Sequence, residues 1–223
     1  MYLSQLILNP RSRQVRSEIA DPYEMHRTVM HAFPAQLAST ERVLFRLELH
    51  PRTGVPTLLI QSEAEPAWSF LLAPQKDYLL GQDELPPDVE NPAVKRFDLH
   101  LRTGRLYRFR LLANPTVKRT FDLNGEKQKK RLGLLKEADQ IAWLKRKLEA
   151  AGAEVQDCTI IPQGFQHSRK STAQERGSQT HLAVLFEGLL AVKDPQHLSD
   201  ALASGIGAAK GFGFGLLSLA PGP

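Results

Sequence analysis

Lys136-Glu-Ala-Asp-Gln-Ile-Ala-Trp-Leu-Lys-Arg-Lys-Leu-Glu-Ala-Ala-Gly152 is the stretch on which the fold turns. Ile141, Leu144 and Leu148 recur at helical spacing and form one apolar face, with Trp143 flanking it. Gly152 stands just past the last periodic residue and is the stop signal. Strand-like runs lie on either side: Leu106 to Leu112 before the helix, Val155 to Ile161 and His181 to Val192 after it. Asp194 and Pro195 then offer an N-cap and a first helical position for a helix to Ala203, and Leu216 to Leu219 reads as a last strand. The C-terminal half therefore reads β-α-β-β-α-β.

The N-terminal half follows the same plan. Tyr2 to Leu8 reads as a strand ended by Asn9-Pro10, and Ser12 to Ala20, polar and basic, as a loop. Asp21-Pro22-Tyr23-Glu24 is a helix start: Asp21 as N-cap, Pro22 at N1, Glu24 closing a capping box. Met25, Val29, Met30 and Phe33 supply the apolar stripe, and Pro34 stops it. Val43 to Leu49 and Thr57 to Gln61 read as strands around a turn at Pro51 to Gly54. A short helix is expected within Pro66 to Leu80, a loop over Leu85 to Pro92 and a strand over Phe97 to Leu101. The expected fold is α+β, with tandem duplicated ferredoxin-like (βαββαβ) domains at residues 1–104 and 105–223. Leu49-His-Pro-Arg-Thr-Gly54 and Leu99-His-Leu-Arg-Thr-Gly104 share five of six residues, a small sign of duplication.

Composition narrows the function. At 42% hydrophobic and 24% charged, the 223 residues have the balance of a soluble globular protein. One cysteine, Cys158, excludes a disulfide framework and a cysteine-rich zinc module. No apolar run approaches the ~20 residues of a membrane span, and Met1 to Leu8 does not read as a signal peptide, so a cytoplasmic protein is expected. Residues 1–104 carry 11 basic and 13 acidic side chains, whereas residues 105–223 carry 18 and 11. Arg102 to Lys136 alone holds 11 basic residues against Asp122 and Glu126. Clustered like charges repel unless a polyanion offsets them, so this run, read as a strand followed by a basic loop, suits a phosphate backbone.

Three groups of residues could carry chemistry. Tyr23 and His26 share a face near a helix start, where free N–H groups and the dipole favour an anion, and Arg27 adds a charge. A phenol, an imidazole and cations suit metal-free RNA cleavage, in which the 2′-hydroxyl loses a proton and attacks phosphorus while the departing 5′-oxygen gains one. His31 lies five residues on, roughly 140° round the helix, and joins only if the helix end unwinds. The plainer alternative is surface histidines and a packing tyrosine. The second group is Gly205-Ile-Gly207-Ala-Ala-Lys210-Gly211-Phe-Gly213-Phe-Gly215, which is either a phosphate cradle or a packed turn, and is neither a P-loop nor a dinucleotide fingerprint. The third is Gln166 to Ser178, with Arg169 and Lys170, either a groove-entering hairpin tip or a disordered loop. No histidine spacing or acidic cluster suggests a metal, and no cofactor is expected.

Set in order, these residues carry a resemblance. Met1-Tyr-Leu, Pro22-Tyr23-Glu24-Met25-His26-Arg27, Ala113-Asn114-Pro115 with Lys118, Glu137-Ala-Asp-Gln140-Ile141-Ala-Trp143-Leu144, Phe186-Glu187-Gly188, and Gly205-Ile-Gly207 through Gly215 to Pro221 run from end to end. The chain resembles the CasE family of CRISPR repeat-processing endoribonucleases, within the repeat-associated (RAMP) superfamily. The resemblance implies metal-independent cleavage of precursor RNA at the 3′ base of the repeat hairpin, with 2′,3′-cyclic phosphate ends. It implies that the product is kept and that the protein, a monomer when alone, joins the other subunits of Cascade. It makes His26 the main acid/base residue and Tyr23 its partner, with His31 where some members carry lysine. Arg11, Arg13, Arg27, Lys118, Arg119, Lys129, Lys130, Arg131, Arg169, Lys170 and Lys210, with Gly207, Gly211 and Gly213, are the expected RNA contacts. A non-catalytic RNA-binding subunit of the same architecture, or a DNA-binding domain, would lack a chemical need for the Tyr23/His26 pair.

Overall fold

The computed structural model describes residues 1–34, 41–123, 126–171 and 176–223. Two four-stranded antiparallel sheets and one two-stranded ribbon carry the chain. The first sheet holds β1 (Tyr2–Ile7), β2 (Leu44–Leu49), β3 (Pro56–Ser62) and β4 (Ala93–Arg96), in the order β2-β3-β1-β4. The second holds β5 (Leu106–Ala113), β8 (Ala153–Ser171), β9 (Arg176–Val192) and β10 (Leu217–Pro221), in the order β10-β5-β9-β8. Taking the four strands of each sheet in chain order, the two arrangements are the same, 2-3-1-4 and its reverse. The ribbon pairs β6 (Thr116–Leu123) with β7 (Glu126–Gly133).

Helices cover one face of each sheet. α1 (Arg13–Ala20) and α2 (Pro22–Met30) serve the first, where Met25 and Val29 meet Leu6, Leu58 and Ile60 in a buried core. α3 (Glu137–Ala150) and α4 (Pro195–Ser204) serve the second, with Trp143, Leu144 and Leu148 packed against Phe186 and Leu190. Trp143, not Ile141, belongs to the centre of that face: Trp143 is 3% exposed and stacks on Phe186. A ring that large reaches the core from the edge of the helical stripe.

Several sequence expectations change. Ser12 to Ala20 is not a loop, because the Ser12 hydroxyl caps α1 by accepting from Val15 N–H. Its second turn buries Glu18, whose carboxylate accepts from Tyr78 Oη at 2.6 Å and Thr28 Oγ1 at 2.7 Å. A charged residue at the core position hid the helix from a reading based on apolar spacing. The capping box does not close: Asp21 caps α2 by accepting from Tyr23 N–H, while Glu24 pairs with Arg27. The strand expected at Phe97 to Leu101 forms instead at Ala93–Arg96, on the edge beside β1. The basic loop is the β6/β7 ribbon, and the polar connection Gln166 to Ser178 is a continuation of β8 and β9 as far as Ser171 and Arg176. Residues 172–175 of that connection lie outside the described residues. The shared hexapeptide precedes the third strand of the first sheet but the first strand of the second, so it does not register one sheet on the other.

A buried arginine joins the sheets. Arg46 of β2, 2% exposed, donates to Leu216 O at 2.9 Å and Ser218 Oγ at 3.0 Å. Glu48 accepts from Arg46 at 2.8 Å and pairs with Arg110 of β5 at 3.3 Å. Gln61 donates to Leu202 O at 2.7 Å. Arg46 and Gln61 are buried and find these partners only when the sheets hold this relation, so the seam is directional as well as apolar.

Candidate active site

α2 starts where Asp21 can cap and Pro22 can fit, and the Asp21 carboxylate is held from outside the helix by Ser168 Oγ at 2.6 Å. The β8 strand therefore leans on the start of the helix. This revises the electrostatic expectation: the positive end of α2 already faces a carboxylate, so an anion nearby must be met by side-chain cations.

Tyr23 and His26, one turn apart, both look onto the glycine-rich loop. His26 stacks on Phe45 of β2, with ring centroids 6.1 Å apart and planes 18° apart. Its other side faces Gly211, where a Cβ would stand 3.7 Å from the ring. The Tyr23 ring lies 6.2 Å from that of Phe212 in the same loop. Burial holds the His26 imidazole below its ordinary pKa, and its Nδ1 is enclosed without a hydrogen-bond partner among the described residues. An imidazole in that state is neutral near pH 7 and free to take a proton.

A surface pocket of about 570 Å³ opens beside this ring, lined by His26, Met30, Glu41, Arg42, Val43 and the loop from Gly207 to Gly211 that carries Lys210. Lys210 is held below its usual pKa by partial burial and by the nearby cations Arg42 and Lys147. With two cations, Lys210 and Arg42, against one carboxylate, Glu41, the lining is positive on balance and suits an anion. Arg42 is a site residue that sequence reasoning missed. It sits alone ahead of a strand, and only the fold brings it to Lys210.

The loop itself is part cradle and part scaffold. Gly213 has φ +83°, and a Cβ there would stand 3.2 Å from the Phe45 ring; Gly207 has φ +89° and faces Trp143 at 3.1 Å. Both positions need glycine for backbone and packing reasons. The N–H groups of Phe212, Gly213 and Gly215 are bonded within the protein, which leaves Gly207 to Gly211 as the stretch able to meet a phosphate.

His31 stands apart. It is the C-cap of α2 with φ −64° and ψ −20°, and its N–H still donates to Arg27 O, so the helix does not unwind there. It lines a separate hollow with Gln14, Glu24 and Arg27. Arg27 pairs with Glu24 at 2.9 Å, Arg11 pairs with Glu84, and Arg13 is exposed at the first turn of α1. None of these residues lines the His26 pocket.

The remaining cations sit on the ribbons. Across β6/β7, Lys118 faces Arg131 and Arg119 faces Lys130. Strand alternation puts Lys118, Lys127, Lys129 and Arg131 on one face. Like charges directly opposite destabilise a pair of strands, and an isolated two-stranded ribbon is marginal in water. Arg169 and Lys170 lie in the outer part of β8, opposite Ser178 and Gly177, and their side chains are outside the described residues. Among the described residues no three His, Cys, Asp or Glu side chains gather as metal ligands, and no helix is long and apolar enough to cross a membrane.

A family model described as CRISPR associated protein matches residues 1–221. The chain is 38% identical, over 99% of its length and 100% of the relative's, to the CRISPR-associated endoribonuclease Cse3 of Thermus thermophilus. It is 33% identical, over 99% of its length and 100% of the relative's, to the CRISPR system Cascade subunit CasE of Escherichia coli. A solved structure of the CRISPR endoribonuclease Cse3 bound to a 19-nucleotide RNA superposes with a TM-score of 0.79 at 37% identity, covering 99% of this chain and 100% of that one.

Proposed function

The chain belongs to the CRISPR associated protein family, and on that premise we propose that it is a metal-independent endoribonuclease that cuts CRISPR precursor RNA at the 3′ base of the repeat hairpin. The observation that carries this reading is the neutral, half-buried His26 beside a pocket lined by Lys210 and Arg42.

In the proposed reaction, His26 takes the proton of the 2′-hydroxyl, and the 2′-oxygen attacks the adjacent phosphorus. The P–O5′ bond breaks, and the departing 5′-oxygen receives a proton from Tyr23 or from the imidazolium formed in the first step. The products are a 2′,3′-cyclic phosphate and a 5′-hydroxyl. Lys210, Arg42 and the N–H groups of Gly207 to Gly211 face the charge that grows on the phosphoryl oxygens. His31 contributes only if binding moves the end of α2.

The architecture supports the reading. The common strand order suits two ferredoxin-like units at residues 1–104 and 105–223, with 97–104 as the connection. The basic ribbons of the second unit suit a repeat RNA hairpin. Because the Escherichia coli relative is a Cascade subunit, the cut RNA is proposed to stay bound while the protein joins partner subunits.

The test is incubation of labelled repeat RNA in excess EDTA, resolved on a denaturing gel. Cleavage is expected to persist, and a 2′-deoxy nucleotide at the scissile position should leave the RNA bound but whole. Cleavage of the 2′-deoxy RNA would remove the 2′-hydroxyl from the mechanism. Binding without cleavage of the all-ribose RNA would leave a non-catalytic RNA-binding subunit.

A further inference from the structure

We propose that a second pocket, one aromatic ring away from Tyr23, takes a single unpaired nucleobase of the RNA. It lies where the root of the β6/β7 ribbon meets β8, β9 and the glycine-rich loop, has a volume of about 450 Å³, and is lined in part by Asn114, Arg131, Phe165, His181 and Phe212. The proposal deepens the reading of the chain as an RNA endonuclease, since it names what a neighbouring nucleotide does.

The pocket is polar where a packed interior would not be. Asn114 is 6% exposed, and its Oδ1 is enclosed with no hydrogen-bond partner among the described residues. The Nε2 of His181 is in the same condition. The two side chains meet each other at 3.1 Å, Asn114 Nδ2 to His181 Nδ1. That contact fixes what they offer a ligand. If the amide donates to Nδ1, the neutral ring carries its proton on Nε2, leaving an acceptor on Asn114 and a donor on His181. If the amide is turned, His181 Nδ1 donates, leaving a donor on Asn114 and an acceptor on His181. Either way the pair keeps one unused donor and one unused acceptor, the two kinds of group that a nucleobase edge also carries. Two buried polar groups left unpaired are costly, and a ligand that pairs both recovers that cost.

The walls suit the same occupant. Phe165 is 56% exposed, an aromatic face at the mouth of the pocket on which a base can stack. The Phe212 ring sits 4.5 Å from His181 on the inside and 6.2 Å from Tyr23 on the other side. Phe212 thus separates the proposed base pocket from the reacting groups by one ring. Arg131, at the rim, is placed for the phosphate of the nucleotide whose base enters. Unpaired bases splayed from a stem are the usual targets of sequence-specific RNA recognition, and they are read by this combination of stacking and edge hydrogen bonds.

The test avoids cleavage as a readout. Stem–loop repeat RNA, blocked by 2′-deoxyribose at the scissile position, carries 2-aminopurine at one unpaired nucleotide at a time on either side of the stem base. With the wild-type protein, one position is expected to change its fluorescence sharply on binding. That change should be absent, and affinity lower by about tenfold, in Phe165→Ala, whose exposed ring can be removed without disturbing the core. Asn114→Ala and His181→Ala should abolish the same signal, with circular dichroism checking their fold. A signal at no position, or one that all three variants retain, overturns the proposal while leaving the cleavage reading intact. Blocked RNA that binds and signals as expected, alongside unblocked RNA that is never cut, would sustain the pocket and remove the nuclease reading.

Discussion

The first sheet and the second share a strand order, yet the side chains hung on them differ in kind. Residues 1–104 carry a small excess of acid and the helix on which a phenol and an imidazole point the same way; residues 105–223 carry 18 basic against 11 acidic residues, and two ribbons that project beyond their sheet. The glycine-rich loop belongs to the second region in sequence but packs on the helix of the first, through Gly211 on His26 and Phe212 on Tyr23. In the proposed reading, chemistry and grip sit on separate elements of the two sheets, and they meet where the glycine-rich loop packs on α2. If so, the two should be separable by substitution.

The largest effect should come from His26→Ala. Losing a positioned proton acceptor is expected to lower the single-turnover cleavage rate by about 10²–10⁴-fold, with binding of blocked RNA largely retained. A fall in affinity as large as the fall in rate would break the comparison, since His26 would then be a gripping residue. His31→Ala, on another face of the helix, should cost at most about tenfold in rate.

Next in size is the grip. Lys118, Lys127 and Lys129 share one face of the β6/β7 ribbon. Replacing all three by alanine should weaken RNA binding and reduce the slope of log K against log salt by roughly 0.7–0.9 for each phosphate that is no longer neutralised. Cleavage at saturating RNA should hold near the wild-type rate. Lys118 alone of the three faces a like charge, Arg131, whereas Lys127 faces Asp122, so Lys118→Ala by itself is the change that should steady the ribbon without RNA. An unchanged salt slope would mean that this face points away from RNA.

How far the sequence could be read follows the same division. α2 was legible because local signals agreed there: Asp21 and Pro22 start the helix, Met25 and Val29 set its buried face, and Pro34 follows its end. The pairing of Tyr23 with His26 followed from helical geometry alone, whereas His31 stayed a candidate until the wound end of α2 set it apart. What stayed hidden depends on distant partners. α1 is held by the buried Glu18, whose partners are Tyr78 and Thr28. Arg42 becomes a site residue only through Lys210, and Asn114 becomes interesting only because His181 lies 67 positions away. The ribbons looked like loops because charge masks strand alternation when both faces meet water.

A smaller effect separates scaffold from cradle within the loop. Gly213→Ala must adopt φ +83° and press on Phe45 at 3.2 Å, at a cost of roughly 1–3 kcal/mol, read as a lower midpoint in thermal denaturation. Gly211→Ala, whose Cβ would meet the His26 ring at an ordinary 3.7 Å, should leave the midpoint nearly unchanged. Equal destabilisation by both would show that the strain lies in the whole loop.

The smallest effect is a pH dependence, and it tests whether His26 is as enclosed as its surroundings imply. Burial lowers the pKa of both His26 and His181 from the ordinary 6.5. In the folded protein each ring is therefore harder to protonate than in the unfolded chain. Between the lowered value and 6.5 the unfolded state binds more protons, so stability rises with pH across that window. The contribution is fully present above 6.5 and falls away as the solution is acidified toward the folded-state value. Thermal midpoints of the RNA-free protein from pH 8 down to pH 5 should decline below about pH 6.5, and His26→Phe should decline less steeply than wild type. The cleavage rate should show its acid limb in the same region, displaced below 6.5, because the proton acceptor must be neutral to act. Bound phosphate pulls the other way by favouring the imidazolium. An acid limb above 6.5 in the RNA complex, with the stability profile unchanged, would mean that the substrate's charge outweighs the burial that the protein supplies.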